Sequence, residues 1–302
     1  MGKKRIFSFL PIAALIGACS SADSDPPSPG GDGGGGPPVE AGPSGDGGVP
    51  ALDAGPTDPV SFKIQIDYRY DTAGFFSDPV RRQALEGACR IWGRLVKSTF
   101  ANVPAGTFIR VRDPQKPNEP ALSLDIDYEI DDLVIFVGSA ELPAGQTGIA
   151  SPTAGLSGVT DDTLRASLQA RFDGPVFQPW TGWVAFDATT PFHFDPVPEL
   201  GDAVPAGTVD FVSVALHEIG HVLGFATSDA FKGQIANGAF TGPKTQSRHG
   251  GPLALTPDLG HVPNETMSGG RRLLMDQSDA AGTRYLPTPL DLAVFEDLGF
   301  VF

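Results

Sequence analysis

An α+β domain, with a mixed β-sheet backed by helices, is the fold class this sequence predicts. Three observations predict it. A strand-like alternation opens the ordered region, strand-like stretches then run between a long amphipathic helix and an apolar one, and a capped helix closes the chain.

The opening strand is read from Phe62, Ile64, Ile66, Tyr68 and Tyr70, which alternate with Lys63, Gln65, Asp67 and Arg69. Asp78 followed by Pro79 has the form of an N-cap with proline at the first helical position. Beyond it, Leu85, Ala88, Cys89, Trp92, Leu95 and Val96 share one helical face. Cys89 lies within that stripe, so it reads as a buried, inert thiol. Strand-like stretches follow at Thr107–Arg112, Ala121–Tyr128 and Asp132–Val137, then a Gly-rich loop around Gly145–Gly158, then Trp183–Phe186. The acidic pairs Asp131-Asp132 and Asp161-Asp162 read as solvated loops. Thr288-Pro289-Leu290-Asp291 has capping-box form and starts a helix running towards Leu298, with Gly299 to end it.

The 302 residues are not of one kind. The 38 glycines and 29 prolines are unevenly spread, with 13 of the glycines and 10 of the prolines in the first sixty positions. Lys3, Lys4 and Arg5 precede an apolar stretch from Ile6 to Ile16, and Gly17-Ala18 follows, which is the three-part layout of a secretory signal. Residues 20–59 hold no aromatic residue, lysine or arginine, and cannot bury enough apolar surface to offset their ordering entropy. The expected organisation is therefore a leader over 1–19, a disordered linker over 20–59 and one globular domain over 60–302. Net charge is −15, and loss of the leader with its three cations makes it −18. That argues against nucleic acid as a partner, since phosphate binding needs a basic face. No later apolar run is long enough to span a bilayer. Cys19 and Cys89 are the two cysteines, so there is no disulfide framework to read.

The chemistry concentrates in Val212–Phe225, where His217-Glu218-Ile219-Gly220-His221 has the form His-Glu-x-x-His. Asp210 can cap this helix. Histidines four apart on a helix project from one face, so two imidazoles can grip one Zn²⁺ at about 2.0–2.1 Å. Glu218 flanks the metal position and can take a proton from metal-bound water and pass it to a leaving amine. A five-residue match of this kind arises by chance in on the order of one such chain in a hundred. The apolar surroundings Val214, Leu216, Ile219, Val222 and Leu223 sharpen it, because buried histidines need partners. Two satisfied core histidines are the bland alternative. A structural zinc would have no use for Glu218.

Ser213–Phe225 resembles the active-site helix of the metzincin clan of zinc endopeptidases, close to its matrixin and leishmanolysin forms. The resemblance is strong there, moderate over Pro257–Gly299 and weak before Asp210. It implies a turn out of the helix at Gly224 and a third histidine three residues on. Here that position is Thr227. The leishmanolysin branch carries an insertion at this point, and by that match His261 is the third ligand, with Ala226–Gly260 a surface insertion. Arg271–Asp276 then resembles the family's methionine turn, which puts Met275 under the zinc. His249, in a polar stretch, is the other downstream histidine, and Glu265 and Glu296 are the carboxylates that a thermolysin-like geometry would use. His193 reads as packing among Phe192 and Phe194. Ile16-Gly17-Ala18-Cys19 also resembles the bacterial lipobox, which implies that Cys19 is acylated as a membrane anchor.

The expected function is a zinc-dependent endopeptidase of the bacterial cell envelope, or otherwise a secreted one. It would act on proteins or peptides and touch the membrane through its lipid alone. The alternative is a surface binding or adhesion protein that keeps the fold without the activity.

Overall fold

A computed structural model of the chain describes residues 17–21, 59–153, 155–156, 158–200 and 203–302. Residues 1–16 of the expected leader and 22–58 of the expected linker lie outside them.

In chain order the elements begin with β1 (Gly17–Ser21), β2 (Ile64–Asp67), α1 (Pro79–Leu95), β3 (Thr107–Val111), β4 (Leu122–Ile126) and β5 (Leu133–Ala140). Then come β6 (Gln146–Pro152), β7 (Gly155–Leu156), α2 (Asp162–Ala170), β8 (Thr181–Asp187), β9 (Phe192–His193), β10 (Val209–Asp210) and α3 (Phe211–Val222). The remainder is α4 (Asp229–Lys232), β11 (Ile235–Ala236), β12 (Ala239–Phe240), α5 (Pro243–His249), β13 (Leu253–Ala254), β14 (Met267–Ser268), β15 (Arg271–Arg272), β16 (Ser278–Asp279) and α6 (Pro289–Asp297).

The domain is α+β with a mixed sheet, as the sequence predicts. The main sheet runs β16-β1-β6-β8-β5-β2. Strands β2, β5 and β8 are mutually parallel, while β6 is antiparallel to β8. The run Leu133–Val137 is buried throughout, as a central strand covered on both faces requires. Strands β4, β3 and β7 form a separate antiparallel sheet.

Helices α1 and α3 pack together against the main sheet. Asp78 caps α1 by accepting from the Val80 amide, and Leu85, Ala88, Cys89 and Trp92 are all buried. The indole of Trp92 donates to the Leu216 carbonyl at 3.0 Å and meets the Phe295 ring edge-on at 5.2 Å, so one side chain ties α1 to both α3 and α6. Cys89 is a free, buried cysteine whose thiol burial pushes well up, in line with an inert role.

Three expectations are corrected. The Gly-rich stretch around Gly145–Gly158 is no loop: it contains β6, hydrogen-bonded to β8. Glycine and proline hide its strand character, but Gly148 is required there by a close approach described below. Asp161-Asp162 is a helix start, with the Asp161 carboxylate accepting from the amides of Thr163 and Leu164. Gly17–Ser21, at the junction of the expected leader and linker, forms β1, antiparallel to β6 and parallel to β16. A chain cut before Cys19 loses Gly17 and Ala18, and with them the pairing to Ala150 and Ile149.

The excursion 226–260 is more than a surface insertion. Phe231 and Phe240 are fully buried, with rings stacked at 4.7 Å, and Phe231 also meets Phe225 at the end of α3. Asp297 in α6 accepts from the Lys244 and Thr245 amides and the Thr245 hydroxyl, which fastens α5 to α6. No described helix is long and apolar enough to cross a membrane.

Candidate metal centre

Helix α3 is set by its N-cap. Asp210 accepts from the amide of Ser213 at 3.0 Å and from its hydroxyl at 2.7 Å. Arg284 in turn bonds Asp210 at 2.8 Å and Asp195 at 2.7 Å, so this buried acid is paired on both sides. Every residue of the helix is buried, and its apolar residues carry His217, Glu218 and His221 into the interior. At its end Gly224 turns the chain at φ +110°, a conformation that favours glycine. Thr227, where the resemblance expects a histidine, spends its hydroxyl on the His221 carbonyl at 2.6 Å.

His217, His221 and His261 come together with one ring nitrogen each, all within 4.8 Å of one another. Nδ1 of His217 lies 2.7 Å from the Leu274 carbonyl and Nδ1 of His221 lies 3.1 Å from the Phe225 carbonyl. A carbonyl only accepts, so both Nδ1 atoms carry the proton and both Nε2 atoms keep their lone pairs. Those two Nε2 atoms stand 3.0 Å apart. Neither can donate to the other, and a cation between them is the partner that this pairing of lone pairs accommodates. Both nitrogens of His261 are buried without a partner among the described residues. The set therefore fits a metal ion: three neutral imidazoles, two of them with their outer nitrogen already anchored.

Burial holds all three rings neutral. His217, His221 and His261 are each pushed down to about 3, first by desolvation and then by a neighbouring imidazole. Glu218 moves the other way, well above the usual carboxylate range, first because it is buried and then because Asp279 is near. Neither of its oxygens has a partner among the described residues. A methyl group on Gly148 would lie 2.6 Å from Glu218 Oε1, so β6 passes directly over the carboxylate.

His261 arrives on a loop closed by Thr256, whose amide donates to the His261 carbonyl at 2.9 Å while the His261 amide donates to the Thr256 hydroxyl at 3.1 Å. Asp258 accepts from that hydroxyl at 2.6 Å. The amide of Val262 donates to the Met275 carbonyl at 3.0 Å, which couples this loop to the Leu274-Met275 turn. Met275 is fully buried, and its sulfur lies against Gly220, between the two helix histidines.

His249 stays apart: it is exposed at the end of α5, with Nδ1 donating to the Gly251 carbonyl at 3.1 Å. Neither Glu265 nor Glu296 joins the three histidines among the described residues. His193 lies in β9 beside Phe192 and Phe194, whose rings meet at 5.8 Å. Two contributors escape a sequence reading. Asp291 accepts from the amides of Leu274 at 3.0 Å and Met275 at 3.2 Å, so the cap of α6 also holds the turn; its capping-box position is the only signal it gives. Asp279 gives none.

No protein-family model matches this chain, and no curated protein matches its sequence.

Proposed function

We propose that the chain is a zinc-dependent metalloendopeptidase with a metzincin-type catalytic domain, fixed to the bacterial cell envelope by a lipid on Cys19. The observation that carries the reading is the meeting of three buried, neutral histidines beside a buried carboxylate that has no partner among the described residues. His217, His221 and His261 would hold the zinc, the three protein ligands that catalytic sites of this metal commonly have. Zinc in that position supplies a Lewis acid that lowers the pKa of water and polarises a carbonyl. Glu218 acts as general base, taking the proton from the attacking water and delivering it to the departing amine. Its carboxylate is buried beside the three histidines with neither oxygen partnered among the described residues, which leaves both open to a water and a leaving group.

A peptide substrate is favoured by the neighbouring backbone. Strands β6 and β16 stand one strand apart, and β1, which packs with β6 on α3, fills that slot, pairing with both and shifting register against β6 between Cys19 and Ser20. A slot of that width accepts an extended polypeptide through main-chain hydrogen bonds.

The experiment is zinc content by mass spectrometry together with casein turnover. One zinc per chain, and turnover that a chelator abolishes and zinc restores, is the expected result. A protein that binds zinc but cleaves no polypeptide would overturn the peptidase reading.

A further inference from the structure

Asp279 is a buried carboxylate in the same slot that the proposed chemistry does not use. It sits in β16, is 6 % exposed, and its Oδ2 accepts from the Thr147 hydroxyl of β6 at 2.8 Å. That bond joins the two walls of the slot. The backbone of β1 shows where an extended chain runs: position 19 stands opposite Gly148, behind which lies Glu218, and position 21 stands opposite Asp279. Two residues of extended chain span about 6.6 Å. A polypeptide that takes the place of β1 in this slot therefore passes the proposed general base and Asp279 within two residues of each other.

We infer that Asp279 is a specificity residue, selecting substrates with lysine or arginine beside the bond that is cut. The inference rests on the peptidase reading. A carboxylate held at the edge of a buried site gives a cationic side chain charge-assisted hydrogen bonds, which are stronger there than in water. It repels an acidic side chain at the same place, so it discriminates in both directions. Thr147 fixes the carboxylate, so the charge is presented in one position rather than on a free rotor. The net charge of −15 acts in the same sense, raising the encounter rate with cationic peptides.

The test uses zinc-loaded full chain and a peptide set in which one residue near the cut is lysine, arginine, norleucine, citrulline or glutamate. Preference is read as the ratio of kcat/KM for lysine over norleucine and arginine over citrulline. A wild-type ratio of about tenfold or more is expected, falling to within about twofold in Asp279→Asn, with glutamate the poorest throughout the wild-type series. Thermal melting and zinc content establish that the variant is folded, and Thr147→Val, which frees the carboxylate without removing it, should lower the ratio part of the way. Binding of the same peptides to Glu218→Gln, read by fluorescence anisotropy, should show the same ranking without turnover. A wild-type enzyme indifferent to the basic residue, or a preference that survives in Asp279→Asn, overturns the inference while leaving the peptidase reading intact. Turnover of no peptide, with no binding either, removes both.

Discussion

The Leu274 carbonyl accepts a hydrogen bond from Nδ1 of His217 at 2.7 Å, across 57 residues of sequence. The residue ahead of Met275 thus sets the tautomer of a candidate ligand on α3. Asp291 supports the arrangement from behind through the Leu274 and Met275 amides. Asp291→Ala leaves those buried donors without an acceptor, at a cost of about 1–3 kcal/mol for each. Zinc affinity should fall roughly 10–100-fold, as for other groups that orient a ligand. Chelator competition and thermal melting on the same variant measure the two effects, and an unchanged zinc affinity would detach Asp291 from the centre.

Glu218 and Gly148 form the next test. Glu218→Gln should keep one zinc and the fold, while peptidase activity falls by roughly 10²–10⁴-fold or more. Gly148→Ala should also lower activity, because its methyl group would stand 2.6 Å from Glu218 Oε1 and displace the carboxylate. Gly145→Ala serves as the contrast: it faces open space at φ +86°, so it should cost stability and spare turnover. Full activity in Gly148→Ala would show that β6 does not control the glutamate.

The pH dependence of the zinc-free protein follows from the three histidines. Each is neutral in the fold down to about 3, against an ordinary value of 6.5. The unfolded chain therefore binds more protons between those limits, and stability is lost as pH falls from 6.5 towards 3. Glu218 has the opposite sign, because its raised value favours the fold as pH falls towards 4.5. The histidine effect is least offset below pH 4.5. There His261→Ala should reduce the slope of unfolding free energy against pH by roughly 1.4 kcal/mol per unit, one proton's worth. Equal slopes in urea melts of wild type and variant would contradict the neutral state assigned to His261.

Much of this was legible in the sequence because the relevant patterns are local. Asp78-Pro79, Thr288–Asp291 and the His217–His221 spacing each declare themselves within a few residues, and each helix forms where the pattern places it. The meeting of His261 with α3 was not local, and only a resemblance to a family pointed to it. Strand β6 was hidden because Gly148 serves the carboxylate beneath it rather than the propensity of its strand. Asp279 was hidden for a related reason: a buried acid acquires meaning only from what packs around it, here Thr147 and Glu218.

The anchor reading predicts that wild-type protein fractionates with membranes and that its N-terminus is a modified Cys19. Cys19→Ala should move it to the soluble fraction with its zinc content unchanged. Mass spectrometry of the mature chain checks this directly. Retention of residues 1–18 would rule out acylation, and would keep Gly17 and Ala18 paired to β6.

The most direct measurement is zinc stoichiometry and affinity in His261→Ala beside His249→Ala, each with wild type under the same chelator competition. His261 lies with His217 and His221 in the interior, whereas His249 is exposed on α5. His261→Ala should bind zinc far more weakly and lose activity, while His249→Ala should match wild type in both. Tight, stoichiometric zinc in His261→Ala, or its loss in His249→Ala, would contradict the three-histidine centre.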